Sequence, residues 1–181
     1  MLKLIVATII LIIVLIAGVS FLYFVIKSTV SPQKTAPYIW TFKRHLKILK
    51  QLNIKKWSKM LDLGCWDGKA LRFFDKTYEL KKWVWYDINP FAIIRWKIIN
   101  ILKWYKHIHI YKKNFLKIEL KWYTYIYVYL RPSQLKDIEE RIRKNKDKQT
   151  IIISNSFQFI EHKPYKIFKD SRWKEAIFLY K

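Results

Sequence analysis

The chain has 181 residues and a formal net charge of +23, from 36 basic against 13 acidic residues. This length fits one domain of ordinary size with an appendage. The single cysteine, Cys65, excludes an internal disulfide and gives no reason to place the protein in an oxidising compartment. The charge favours anionic partners, either RNA or the anionic face of a membrane, although a compositional bias toward lysine and isoleucine would produce the same balance.

The N-terminal segment from Leu4 to Ile26 runs for 23 residues without a charge. At 1.5 Å of rise per residue, this length crosses a hydrocarbon core of about 30 Å. A cleavable signal peptide, the main alternative, has a shorter apolar region of about 7–15 residues and a small-residue cleavage site. We therefore predict a retained transmembrane anchor over residues 1–27, a polar linker over 28–36 and a body over 37–181.

The charges that flank the apolar segment predict its orientation. Lys3 alone precedes it, whereas four basic residues follow it closely: Lys27, Lys34, Lys43 and Arg44. By the positive-inside rule the body faces the cytoplasm, so we predict a single-pass membrane protein with a cytoplasmic C-terminal domain.

The body opens with "PYIWTFKRHLKILKQLNI", in which Pro37 precedes apolar residues at helical spacing, and this pattern predicts an amphipathic helix. Strand-like and helix-like segments then alternate: "KMLDLG", "KALRFFDK", "KWVWYDI", "PFAIIRWKIINILKWY", "HIHIYKKN", "WYTYIYVYL", "PSQLKDIEERIRKN" and "QTIIISNS". Continuous apolar strands separated by helices are typical of an α/β fold with a parallel sheet covered on both faces. The last strand-like segments, "YKIFKD" and "EAIFLYK", have no long helix between them and predict an antiparallel hairpin at the sheet edge.

Two of the three glycines, Gly64 and Gly68, follow the first predicted strand and precede its helix. In an open α/β sheet, ligands bind outside the carboxyl ends of the strands, where glycine lets the backbone turn tightly and approach a ligand. The steric need of a tight turn would also select glycine. Asp87, at the end of the second predicted strand and 25 residues after Asp62, favours the ligand hypothesis, because an acidic side chain there accepts hydrogen bonds from ribose hydroxyls.

Other chemistries fit the sequence less well. Gly68 and Lys69 are followed by Ala70, so the hydroxyl that a P-loop uses for magnesium is missing. His107 and His109 alternate in a predicted strand without acidic or cysteine partners nearby, and we predict no metal site. A dinucleotide enzyme stays open as an alternative, although the missing middle glycine disfavours a pyrophosphate site.

The segment "MLDLGCWDG" resembles the first motif of the class I S-adenosylmethionine-dependent methyltransferases. Three later segments are similar to further motifs of that family: "VWYDINP" to the acidic second strand, "KKNF" to the loop after the third strand, and "IYVYLRP" to the fourth-strand motif. The resemblance covers about residues 37–181. It implies a Rossmann-like methyltransferase fold with S-adenosyl-L-methionine as cofactor.

The resemblance also implies roles for single residues. Asp62, Gly64 and Cys65 would line the methionine end of the cofactor, Asp87 would hold the ribose, and Asn114 with Phe115 would flank the adenine. The full set of expected cofactor-binding residues is Asp62, Gly64, Cys65, Trp66, Gly68, Asp87, Ile88, Asn114, Phe115 and Tyr129. Residues Tyr129 to Pro132 would face the methyl group, and Tyr129 and Pro132 are the expected catalytic residues.

Within the family, the chain is most similar to membrane-anchored protein-lysine methyltransferases of the ATP synthase c-subunit type. They share an N-terminal anchor, a "Y-L-x-P" fourth motif and an "S-x-x-F" segment, here Ser154 to Phe157. This implies methylation of a protein lysine at or near the membrane, with membrane contacts through the N-terminal helix and the basic surface. RNA methylation is a second hypothesis, favoured by the basic charge. A non-catalytic, membrane-tethered binding module is a third, because Trp66 stands where the family's loop usually has a glycine.

Overall fold

The structure is a computed structural model that describes residues 1–30, 41, 43–64, 68–87, 90–103, 108–170 and 176–181. Contacts divide the chain into two compact units, Met1–Pro37 and Tyr38–Lys181. Three predicted site residues, Cys65, Trp66 and Ile88, lie outside the described residues. The predicted boundaries of the anchor, the linker and the body stay predictions.

Helix α1 (Leu2–Val30) makes up the described part of the first unit. Its segment Lys3–Tyr23 is long and apolar enough to cross a membrane. None of that segment is buried in the protein, so its leucine, isoleucine and valine side chains are exposed around the helix. By length and composition this helix matches a membrane span.

The second unit alternates helices and strands. In chain order these are α2 (Lys43–Leu49), β1 (Lys59–Leu63), α3 (Lys69–Tyr78), β2 (Lys82–Asp87), α4 (Pro90–Lys103), β3 (Ile108–Lys112), a 3₁₀ turn (Phe115–Lys117), β4 (Tyr125–Val128), α5 (Pro132–Asn145), β5 (Ile151–Asn155), β6 (Lys166–Lys169) and β7 (Ala176–Tyr180).

The strands form one sheet in the order β3-β2-β1-β4-β5-β7-β6. The first five are mutually parallel, and β7 runs antiparallel to both β5 and β6. The predicted α/β fold with a C-terminal antiparallel hairpin is confirmed. Within the hairpin, the fully buried β7 takes the inner position, and β6, with exposed Lys166 and Lys169 at its ends, forms the edge. Lysine at an edge strand opposes pairing with another chain.

Helices cover both faces of the sheet, so the central strands are buried on both sides. On one side, here called the first face, side chains of α2, α3 and α4 pack with Trp85 and Tyr127. On the other side, the second face, α5 packs with Leu61 and Val128. Alternate residues of each strand therefore enter different cores.

Two elements differ from the prediction. The tyrosine-rich strand begins only at Tyr125, because Trp122 has a left-handed backbone (φ 73°) and donates its N–H to Asp147 Oδ2 at 2.7 Å. The first helix of the body ends at Leu49 rather than continuing to Ile54. Its predicted start at Pro37 lies outside the described residues.

Candidate functional site

The carboxyl ends of the parallel strands bring several predicted site residues side by side. The register of β1 with β2 and β4, when it is extended by one residue past Leu63, places Gly64, Asp87 and Tyr129 in one row across the sheet. The register of β4 with β5 adds Asn155 to this row. The row stands at the edge where ligands bind in open α/β sheets.

Two acidic side chains approach this edge from the same face. Asp62 lies two residues before Gly64, and Asp87 lies in the same row as Gly64, so by strand alternation both carboxylates point to the first face. Both are buried. Both carboxylates therefore stand at the edge of the sheet where ligands bind in open α/β folds.

The structure gives both glycines of the loop a steric reason. Gly64 has a φ of 82°, and a Cβ there would lie 2.9 Å from Cδ2 of Leu130. Gly68 has a φ of 64°, and a Cβ there would lie 2.4 Å from Nε1 of Trp96. Left-handed backbone and close packing both select glycine. The steric explanation therefore holds at both positions, and the ligand hypothesis stays a prediction.

Asn114 and Phe115, expected beside the adenine, follow β3. Asn114 Oδ1 accepts a hydrogen bond from the N–H of Leu116 at 2.8 Å and caps the 3₁₀ turn. Phe115 is half-buried against the second-face core. The two acidic side chains point to the first face, so this phenylalanine stands on the other side of the sheet edge from them.

Tyr129 is held between two aromatic rings. The ring of His45 from α2 meets it edge-on, with ring centroids 5.3 Å apart, and Phe157 stacks on it at 6.5 Å. Tyr129 is half-buried and His45 is buried. Pro132, the other predicted catalytic residue, is exposed in the first turn of α5, three residues further along. Tyr129 thus precedes α5 and Pro132 begins it, at the carboxyl edge of the sheet.

Sequence reasoning missed two residues of this site. His45 is one. Its position in the sequence could have indicated it, because it lies three residues before Ile48 and four before Leu49, so the three side chains share one side of α2. All three are buried. Asn155 is the other. It is fully buried in the row and its Nδ2 donates to the Tyr127 hydroxyl at 2.9 Å.

Two clefts in the described part of the body lie away from this row. One of about 220 Å³ lies between α5 and β7 and is lined in part by Glu139, His162 and Tyr180. A wider one of about 740 Å³ opens at the amino ends of β4 and β5, beside Trp122 and Asp147. Within the described ranges, no three His, Cys, Asp or Glu side chains are grouped as metal ligands would be.

Comparisons with known proteins show which fold the body has. No protein-family model matches the sequence, and no curated protein matches it. Among solved structures, an RNA methyltransferase from Salinibacter ruber, in complex with S-adenosyl-L-homocysteine, matches with a TM-score of 0.70 and 15% identity over 78% of this chain and 92% of that one. The body has the fold of the class I methyltransferases.

Two further matches share this fold. The ribosomal protein L11 methylase of Lactobacillus delbrueckii subsp. bulgaricus has a TM-score of 0.60 and 13% identity over 82% of both chains. The precorrin-6y C5,15-methyltransferase of Geobacter metallireducens has a TM-score of 0.57 and 12% identity over 67% of this chain and 65% of that one. By their names the three proteins act on an RNA, a protein and a precorrin, so the fold does not select the substrate.

Proposed function

We propose that the protein is an S-adenosylmethionine-dependent methyltransferase. The observation that carries the proposal is the row of Gly64, Asp87 and Tyr129 at the carboxyl edge of the sheet, with Asp62 beside it. This sheet has the strand order of the methyltransferase fold. A structural neighbour with the same fold contains S-adenosyl-L-homocysteine, the product that remains after methyl transfer.

The residues of the row fit this cofactor chemically. Asp87 ends β2 and is buried, so its carboxylate would accept hydrogen bonds from both ribose hydroxyls. Gly64 has no side chain, so the cofactor could approach its backbone closely. Asp62 would face the methionine ammonium. When bound, S-adenosylmethionine supplies an electrophilic methyl group on a sulfonium.

The protein's own contribution to transfer is positioning and exclusion of water. Tyr129, fixed by His45 and Phe157, and the backbone from Leu130 to Pro132 would orient the acceptor. A lysine acceptor must lose a proton before it attacks. Enclosure in a site of low polarity lowers the pKa of an amine and so favours the neutral, reactive form.

We further propose a protein lysine at or near the membrane as the acceptor, with the N-terminal helix as anchor. The support is twofold. The segments Tyr129–Pro132 and Ser154–Phe157 resemble motifs of the membrane-anchored lysine methyltransferases, and the chain has an apolar helix of span length.

RNA methylation is the second candidate, supported by the net charge of +23 and by the RNA methyltransferase among the structural neighbours.

Cofactor binding is tested on the full chain in lipid nanodiscs by isothermal titration calorimetry. S-adenosylmethionine and S-adenosylhomocysteine should both bind. Asp87→Asn should bind about 10–100-fold more weakly, because a hydrogen bond to a charged group contributes about 1.5–3 kcal/mol. Asp137→Asn, an exposed acid on α5, is the matched control and should bind as the parent does. Absence of binding at millimolar ligand would overturn the proposal and favour the non-catalytic module.

The role of Trp66 is tested in the same titration. A Trp66→Gly chain restores the residue that is usual at this point of the loop. Similar affinity in the two chains would mean that the indole does not obstruct the site. A gain of tenfold or more in Trp66→Gly would mean that it obstructs the site in the parent.

The acceptor is tested with cofactor labelled in the transferred methyl group. The full chain is incubated with membranes and RNA from the same lysate, and the products are treated with protease or ribonuclease. Protease-sensitive label that mass spectrometry assigns to methyl-lysine supports the proposed acceptor. Label found only in ribonuclease-sensitive material would replace it with RNA.

A further inference from the structure

Helix α4 carries apolar side chains on the side that faces away from the sheet. Its inner side holds Ala92 and Trp96, which are buried. Its outer side holds four residues with large exposed fractions, here called the outer stripe: Ile94 (55%), Ile98 (53%), Ile101 (75%) and Leu102 (73%). At 100° per residue the outer stripe occupies an arc of about 100°. A contiguous apolar surface that is exposed on a folded domain marks a protein or membrane interaction site.

Two cations border the outer stripe. At the same helical spacing, Lys97 falls on one side of the arc and Arg95 on the other, and both are exposed. The sequence of α4 from Pro90 to Lys103 contains no acidic residue. An apolar stripe between two basic margins is the pattern of helices that lie in the plane of an anionic membrane surface, with the apolar side chains in the acyl boundary and the cations at the headgroups.

A second copy of the chain fits this surface less well. A symmetric dimer would place the same stripe of each copy against the other, so Arg95 and Lys97 would approach cations of the partner without an acid on either helix. An anionic bilayer instead offers negative charge to both margins. The chain also has a net charge of +23 and a helix of span length, Lys3–Tyr23.

We propose that the outer stripe of α4 docks on the anionic bilayer to which the N-terminal helix tethers the body. The tether would raise the local concentration of the surface, so that a stripe of four side chains suffices for docking. The proposal rests on the proposed membrane anchor and is independent of methyl transfer. Because α4 begins at Pro90, three residues after Asp87, docking would also bring the carboxyl edge of the sheet close to substrates that project from the membrane.

The docking is tested by photo-crosslinking in the full chain. Benzoylphenylalanine is placed at Ile98 or, as the matched control, at Ile160, which is 66% exposed and hydrogen-bonded to α5 on the opposite face of the sheet. In nanodiscs that contain phosphatidylserine, the probe at Ile98 should form lipid adducts and the probe at Ile160 few. Replacement by phosphatidylcholine should lower the yield at Ile98 severalfold, because each cation near an anionic surface adds about 1 kcal/mol.

Hydrogen exchange provides a second readout. The amides of α4 should exchange more slowly in phosphatidylserine nanodiscs than in detergent, and Ile98→Asn with Ile101→Asn should remove this difference. Both residues are exposed, so these changes leave the core intact.

The outcomes separate the two proposals. Equal adduct yields at Ile98 and Ile160, or adducts of Ile98 with a second copy of the chain or another protein, would overturn docking and leave the anchor standing. A chain that alkaline carbonate extracts from the membrane would overturn the anchor and the docking together, while cofactor binding would be unaffected.

Discussion

At the scale of single residues, Gly68 shows how the candidate cofactor loop depends on a distant side chain. Its φ of 64° belongs to the left-handed region, and the indole of Trp96 occupies the space that a Cβ would take. Trp96 is buried on α4 and packs against Trp85 of β2. A side chain at position 68 is therefore possible only if the packing of α4 on the sheet changes.

Gly68→Ala is expected to destabilise the body. Left-handed backbone costs a residue with a Cβ about 1–2 kcal/mol, and displacement of the Trp96 ring adds an overpacking cost of about 1–3 kcal/mol. The free energy of unfolding, measured in urea by tryptophan fluorescence in detergent micelles, should fall by that sum. Gly18→Ala is the control, because a Cβ there meets nothing within 4 Å in α1. Equal urea midpoints for the two variants would contradict the packing at Gly68.

The sequence predicted which residues stand at the carboxyl edge but not what they touch. Asp62, Gly64 and Asp87 were found because each follows from its place along a strand. The contact of Gly68 with Trp96, and of Tyr129 with His45, joins segments far apart in sequence. Such contacts depend on how helices cross the sheet, and helical periodicity alone does not give that crossing.

At the scale of elements, Glu139 ties α5 to the segment after β5. Its buried carboxylate accepts hydrogen bonds from the N–H groups of Ile160 and Glu161, both at 2.9 Å, and lies 2.8 Å from Nδ1 of His162. Burial by itself would raise the pKa of Glu139. The hydrogen bonds from His162 and from the two backbone N–H groups outweigh burial, and the pKa is lowered below its ordinary value.

This lowered pKa predicts a pH dependence of stability. Because the folded state binds the proton more weakly than the unfolded state, the stabilisation is complete above the ordinary glutamate pKa of about 4.3 and is lost as pH falls through the lower folded value. Glu139→Gln should lower the free energy of unfolding by about 1–3 kcal/mol at pH 7, and the difference from the parent should shrink toward pH 3.

Urea unfolding at a series of pH values measures this difference. Glu140→Gln is the matched control, since the neighbouring Glu140 is exposed and pairs with Lys144 at 2.6 Å on the helix surface, where solvent screens the pair. It should leave stability nearly unchanged at every pH. A constant gap between Glu139→Gln and the parent from pH 3 to pH 7 would show that the carboxylate charge is not what stabilises the segment.

Most strands and helices were predictable because their apolar runs are bounded by clear breakers. Pro90 and Pro132 start α4 and α5 where the sequence indicated. The start of β4 was not predictable, because "WYTYIYVYL" favours a strand throughout. A hydrogen bond from Trp122 to Asp147, 25 residues away, fixes the left-handed turn that delays the strand.

At the scale of the whole molecule, charge and hydropathy both distinguish the N-terminal part of the chain from the rest. No acidic residue precedes Asp62, so the apolar helix is followed by basic sequence alone up to the candidate site. The basic flank and the outer stripe of α4 are each chemically suited to an anionic surface. The sequence was sufficient to predict an apolar helix of span length. It was not sufficient for the outer stripe, because "PFAIIRWKIINILKWY" indicates a helix without showing that its apolar side faces outward.

The orientation of the chain across the membrane provides the last prediction. With Lys3 before the apolar helix and Lys27, Lys34, Lys43 and Arg44 after it, the C-terminus is expected in the cytoplasm. In a bacterial host, alkaline phosphatase fused after Lys181 should be inactive and green fluorescent protein fused there should fluoresce. Leu2→Lys with Lys27→Gln and Lys34→Gln leaves two of these basic residues on each side of the helix, which removes the charge difference and should raise the phosphatase signal. An active phosphatase fusion to the parent chain would place the body outside, away from the cytoplasmic supply of S-adenosylmethionine that the proposed activity requires.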